Sequence, residues 1–240
     1  MLQVDHVSSG YGNLQIINDV SLHALANRIT VIVGPNGSGK STLLKTIAGL
    51  TTIYRGTVSL DHRTISKLPP HEIARLGIAY LPQTESTFTQ LTVAENFKMA
   101  GYTVPYSHFQ SRVKRALAIF PNLNVYTNTK VSNLSGGERQ MVAMSMALLR
   151  NPNTILFDEP TANLAPIVAT QVLDTIVRLS QDSSIAILLV EQNATRALQI
   201  AQYAYLLVNG TTVFEGKAQD LLEHKELGKL YLGLTSFSSR

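Results

Sequence analysis

The 240-residue sequence contains no cysteine. Disulfides, thiolate zinc sites, cysteine nucleophiles and iron–sulfur ligation are therefore excluded, and a reducing compartment is compatible with the composition. Long apolar runs are also missing. The longest in the C-terminal half, Ile185 to Val190, has six residues, whereas a bilayer-spanning helix needs roughly 18. The chain is expected not to cross a membrane by itself. Its start, Met1-Leu2-Gln3-Val4-Asp5, lacks the basic stretch and apolar core of a signal peptide, which points to the cytoplasm. Charge of one sign is scarce: 20 Lys plus Arg against 16 Asp plus Glu leave +4. Residues 1–82 carry 7 basic and 4 acidic groups, residues 83–150 carry 7 and 3, and residues 151–240 carry 6 and 9. With no cluster of Lys and Arg interleaved with aromatics, no nucleic acid partner is expected, while an anionic surface or partner near the middle segment stays open. What the chain does have is 45% apolar residues, enough at this length for a packed core and incompatible with disorder.

Up to Leu60, short alternating runs such as Val20, Leu22, Ala24 and Val58, Leu60 are punctuated by glycines and read as strands and turns. Ile29-Thr30-Val31-Ile32-Val33 is nearly continuous and β-branched, as a strand buried on both faces should be. A glycine-rich loop follows, then a helix from Ser41 to Leu50 with Leu43, Leu44 and Ile47 on one stripe and Gly49 near its end. Residues 83–150 change to helical spacing, at Val113, Leu117 and Phe120 and again through Met141, Met144, Ala147 and Leu148. Buried-strand candidates at 154–157 and 185–190, with a helix around Val172 to Leu179 between them, imply a parallel sheet. Asn209-Gly210, flanked by Leu206-Leu207-Val208 and Thr211-Thr212-Val213, predicts a hairpin.

The chemistry starts at Gly34-Pro35-Asn36-Gly37-Ser38-Gly39-Lys40-Ser41, which fits G-x-x-x-x-G-K-[ST] between a buried strand and a helix. There, glycines let successive N–H groups turn onto phosphate oxygens, the helix start adds its positive end, and Lys40 reaches the β- and γ-phosphates. Ser41 is left for Mg²⁺, and Thr42 completes the phosphate-binding segment. Asp158 and Glu159 close the second buried strand. Asp158 suits the Mg²⁺ shell, and Glu159 suits orienting and deprotonating the attacking water. Ser135, Gly136 and Gly137, in Leu134-Ser135-Gly136-Gly137-Glu138-Arg139-Gln140, offer a hydroxyl and N–H groups to a terminal phosphate at another helix start.

With this third element the sequence resembles the ABC ATPases, over essentially its whole length and in family order. The resemblance implies an α/β fold: a P-loop NTPase (RecA-like) parallel sheet with an N-terminal antiparallel β subdomain, formed by 1–82 and 151–240, and a helical subdomain at 83–150. It implies ATP and Mg²⁺ as cofactors, Tyr11 stacked on adenine, and Gln83 as the residue that touches Mg²⁺ or water and reports nucleotide state to the insert. It implies that Ser135, Gly136 and Gly137 act across a dimer on the partner's ATP. Two departures narrow the family: Gln192 replaces the usual switch histidine, and Ala165 replaces the usual aspartate after the glutamate. "VEQNA" at 190–194, "LAP" at 164–166 and the closing Leu230-Tyr231-Leu232-Gly233 are similar to the LivF-type subunit of branched-chain amino acid importers. That subgroup implies a LivG-like second ATPase or a homodimer, two transmembrane permease subunits, an external substrate-binding protein and a place at the cytoplasmic face of the membrane. Related importers of urea, amides or other amino acids share the pattern, and a soluble ABC protein without a permease is the different-class alternative.

Overall fold

The computed structural model describes residues 1–84, 86–182 and 184–231. Leu232 and Gly233, part of the closing motif, lie outside them. In chain order the elements are β1 (Leu2–Tyr11), β2 (Leu14–Ala24), β3 (Ile29–Val33), α1 (Lys40–Ile47), β4 (Thr52–Leu60), β5 (Arg63–Thr64), α2 (Pro70–Arg75), β6 (Ile78–Leu81), α3 (Val93–Ala100), α4 (Tyr106–Ile119), α5 (Gly136–Leu148), β7 (Thr154–Asp158), α6 (Pro166–Asp182), β8 (Ala186–Val190), α7 (Ala194–Ile200), β9 (Tyr203–Val208), β10 (Thr211–Lys217), α8 (Ala218–Glu223) and α9 (Lys225–Tyr231).

They form two sheets. An antiparallel sheet in the order β2-β1-β4-β5 lies over a six-stranded sheet in the order β10-β9-β3-β8-β7-β6. In the latter β9, β3, β8, β7 and β6 run parallel, and β10 returns antiparallel. All five residues of β3, of β7 and of β8 are buried, as strands covered on both faces must be. Their side chains divide with the pleat. Ile29, Val31, Val33, Ile155, Phe157, Ile187 and Leu189 join one core with α5, α6, α7 and the insert. Ile32, Leu156, Leu188 and Val190 join a second core beneath α1 and the antiparallel sheet. Burying each such side chain contributes roughly 1.5–3 kcal/mol, so these two layers fix where the strand ends sit.

Helix α1 stops at Ile47, and Gly49 at φ +75° lets Leu50 N–H reach the Lys45 carbonyl at 2.8 Å, a left-handed helix stop. The Asn209-Gly210 pair has φ +48° and +76° and joins β9 to β10, as the sequence predicts. The insert is helical, but α5 departs from the expected stripe. Of Met141, Met144, Ala147 and Leu148 only Met144 is fully buried, while Val142, Ala143 and Leu149 are. The helix is packed by α3, α4, α6 and β6, so its apolar surface is not a single face. Among the described residues no helix is long and apolar enough to cross a membrane.

Candidate active site

Every expected chemical group of the core lies after the C-terminal end of a parallel strand: residues 34–42 after β3, Gln83 after β6, Asp158 and Glu159 at the end of β7, and Gln192 after β8. This is the edge at which open α/β sheets bind ligands. A cleft of about 490 Å³ opens there, lined among others by Asn36, Lys40, Ser41, Gln83, Glu159 and Gln192.

The geometry of the loop at 34–41 is made by backbone. Gly34, Gly37 and Gly39 have φ of +151°, +77° and +100°, a region other residues avoid. Gly34 also has no room for a side chain, since a Cβ would lie 2.0 Å from the Leu207 carbonyl oxygen. The β9–β10 turn buttresses the loop: Gly210 N–H donates to the Ser38 carbonyl at 2.9 Å, and Asn18 N–H donates to the Gly210 carbonyl at 2.8 Å. A carbonyl and the N–H that follows it point opposite ways across a trans peptide. The Gly39 N–H is thus directed away from the hairpin. Ser38 is buried, and among the described residues its hydroxyl has no hydrogen-bond partner. Lys40, 5% exposed, curls back and donates to the carbonyls of Gly34 at 3.0 Å and Pro35 at 2.9 Å. Burial pulls its pKa down, and the charges of Glu159 and Asp158 partly oppose the shift.

Opposite the loop, two adjacent carboxylates are held by different partners. Buried Asp158 accepts from Ser41 Oγ at 2.7 Å on Oδ1 and from the Tyr80 hydroxyl at 2.9 Å on Oδ2. Burial and the Asp158 charge push the Tyr80 phenol well above its ordinary range, so it remains a donor. Glu159, at φ +49°, accepts from Gln83 Nε2 at 3.0 Å on Oε2. Gln83 therefore rests on the glutamate rather than on the Ser41–Asp158 pair. Gln192 is exposed at the cleft wall.

Tyr11 closes β1 at 42% exposure and is not part of that wall; Ile16 of β2 is. Ser135, Gly136 and Gly137 lie apart from it too. Ser135 caps α5 in a reciprocal box, its N–H donating to Glu138 Oε2 at 2.7 Å and its Oγ accepting from Glu138 N–H at 3.3 Å. Gly136 instead faces a second cleft shared with Gln83, Arg139, Glu159 and Asn163. A Cβ on Gly137 would lie 2.3 Å from Val168 Cγ1, so glycine there permits close packing of α5 on α6.

Three residues at the site carry no expected role. Tyr80 and Gly210 touch it only because β6 pairs with β7 and β9 with β3, which no local pattern discloses. Glu191 stands beside Gln192 in a quoted motif, yet only burial distinguishes it.

A strand, a loop with three positive-φ glycines, a buried lysine and two carboxylates at the strand edge define a nucleotide-hydrolysing P-loop protein. The model of the ABC transporter family matches residues 17–162, and the chain belongs to that family. It is 50% identical to a probable branched-chain amino acid transport ATP-binding protein LivF of Archaeoglobus fulgidus, covering 98% of this chain and 99% of the relative. A high-affinity branched-chain amino acid transport ATP-binding protein BraG of Pseudomonas aeruginosa is 36% identical, covering 97% and 100%. A lipopolysaccharide export system ATP-binding protein LptB of Acidithiobacillus ferridurans is 33% identical, covering 97% of each. Among solved structures, the ADP conformation of an ATP-binding cassette of an ABC transporter superposes with TM-score 0.83 at 26% identity, covering 95% and 97%. A dimeric post-hydrolysis cassette bound to ADP and Pi gives 0.78 at 25%, covering 91% and 99%.

Proposed function

We propose that this chain is the ATP-hydrolysing subunit of an importer for branched-chain amino acids, working at the cytoplasmic face of the membrane. The observation that carries the catalytic reading is the pairing across the cleft of Ser41 with Asp158 and of Gln83 with Glu159. The cargo rests on the 50% identity to the Archaeoglobus protein over nearly the whole of both chains, against 33% to a lipopolysaccharide export subunit.

In this reading residues 34–42 bind the phosphates of ATP, and Tyr11 stacks on adenine. A water oxygen attacks the γ-phosphorus, its proton passes to the Glu159 carboxylate, and the β–γ bridging oxygen leaves with ADP. Lys40 exchanges its loop carbonyls for β- and γ-phosphate oxygens. The Gln192 amide donates to the γ-phosphate but carries no imidazolium charge. Ser41 and Asp158, with Gln83 entering from β6, would hold Mg²⁺; one hydroxyl and one carboxylate form the oxygen set that this ion takes beside phosphate. When bound, it neutralises charge on the β- and γ-oxygens.

The 1–82 and 151–240 segments form the ATPase core with its β subdomain, and 83–150 the helical subdomain. Ser135, Gly136 and Gly137 lie outside the phosphate cleft of their own chain, which supports a dimer in which they face the partner's ATP; a LivG-like subunit or a second copy would fill that place. Two permease subunits complete the assembly, the basic 83–150 insert being the permease-facing part of this chain, and an external binding protein delivers the amino acid. The test is to purify a tagged chain from native membranes in mild detergent and measure its ATPase activity with and without Glu159→Gln. Recovery with two permease chains and a second ATPase, and loss of turnover in the variant, are expected. A purely soluble protein, or unchanged turnover, overturns the reading.

A further inference from the structure

Glu191 is a buried carboxylate that the mechanism above does not use. It is 3% exposed, one residue past β8, and among the described residues it forms no ion pair. A charge buried without a counter-ion is costly unless hydrogen bonds compensate it. Here the loop after β7 supplies one: Glu191 Oε1 accepts from the Thr161 N–H at 3.0 Å. Thr161 is two residues beyond Glu159, in a turn closed by Ala162 N–H on the Glu159 carbonyl at 3.1 Å. The backbone ties the same strand ends together, with Glu159 N–H donating to the Val190 carbonyl at 2.9 Å. Between those ties Glu159 has φ +49°, a strained value for a residue with a side chain.

We propose that Glu191 is a positioning residue for hydrolysis: its carboxylate pins the turn that follows Glu159, so that Glu159 keeps its left-handed backbone and moves as one unit with the Gln192 loop. The role belongs to the acceptor oxygen rather than to the charge. Burial and the nearby Glu159 raise the Glu191 pKa, while the bonds from Thr161 and Gln192 lower it; a neutral amide that keeps the acceptor escapes the burial penalty. This rests on Glu159 being the general base.

The experiment compares Glu191→Gln, Glu191→Asp and Glu191→Ala in the assembled complex, measuring kcat and KM for ATP, fluorescent-nucleotide affinity and thermal melting. Glu191→Gln should keep kcat within about threefold and melt no lower than the parent. Glu191→Asp, which withdraws the oxygen by one methylene, and Glu191→Ala should lose about tenfold in kcat with nucleotide affinity changed less than twofold. In a Glu159→Gln background Glu191→Ala should cost nothing further. A Gln variant as slow as the Ala variant, an Asp variant with normal kcat, or parallel losses of affinity and kcat would overturn the assignment. If Glu191→Ala does not fold, the Gln and Asp variants decide it. Undiminished turnover in Glu159→Gln alone would overturn the general-base reading instead, and so separates the two failures.

Discussion

Helices α1 and α5 both have glycine at their starts, and the two starts are built in different ways. At α1 the cap is Gly39 in the left-handed region, no side chain caps the terminus and no acidic residue stands in the first turn. At α5 the cap is Ser135, a reciprocal box with Glu138 occupies the N–H groups of Ser135 and Glu138, and an acid sits in the first turn. Neither Gly136 nor Gly137 has a positive φ. The first terminus is uncapped, and such a helix end favours an anion; the second is closed at Ser135 and Glu138 by the box, while Gly136 faces a second cleft. Glycine content alone does not set the geometry of a helix start: left-handed glycines leave α1 uncapped, and a Ser–Glu box caps α5.

Substitution can break this contrast. Lys40→Ala at the open terminus should lower ATP affinity of the isolated chain about 100-fold, near 3 kcal/mol, by equilibrium fluorescence; Glu138→Ala at the closed one should leave that affinity as it is and lower stability by about 1 kcal/mol, by denaturant unfolding. Gly39→Ala comes next. It must hold φ +100° and place a methyl 2.8 Å from Ile17 Cδ1, so affinity should fall about tenfold or more; Gly136→Ala, at ordinary φ and against the mobile end of Leu164 at 2.9 Å, should leave monomer affinity near its parent value.

Tyr80→Phe sharpens the comparison on the acidic side of the cleft. Removing one hydrogen bond to a buried carboxylate costs roughly 1.5–3 kcal/mol. The Mg²⁺ concentration at half-maximal nucleotide fluorescence should therefore rise about tenfold or more while metal-free binding stays unchanged. The smallest effect is in pH. The bond from the Ser135 N–H holds the Glu138 carboxyl below the ordinary glutamate value. A depressed folded pKa gives stability that is present above the unfolded value near 4.5 and lost as pH falls through the folded value. Glu138→Gln should accordingly flatten the decline in melting temperature below pH 4.5, and an unaltered decline would refute the link.

The open terminus was legible because everything it needs is contiguous: a β-branched strand, glycines at fixed intervals, Lys40 and Ser41. Asp158 and Glu159 were legible for the same reason, standing at the end of a run of buried residues, and the Asn209-Gly210 hairpin was written in two residues. The stripe on α5 was harder to read, because a helix packed by four elements has no single apolar face. The ties of Tyr80, Gly210 and Glu191 to the site were not legible. Tyr80 reaches Asp158 only through parallel pairing with β7, Gly210 reaches Ser38 only because β9 lies beside β3, and Glu191 meets Thr161 across 30 residues of chain. Such contacts belong to strand order, and strand order is a tertiary fact.

The tie between Gly210 and Ser38 also has a practical consequence. A tight, surface-reaching hairpin turn late in a chain is ordinarily where an engineer inserts a tag or a reporter, since such tips tolerate added residues. Here a Cβ at position 210 would already lie 1.8 Å from the Ile16 carbonyl oxygen, and lengthening the turn would release the carbonyl behind Gly39. In this protein the turn most inviting to a protein engineer is a hidden support of the 34–41 loop and should be left alone.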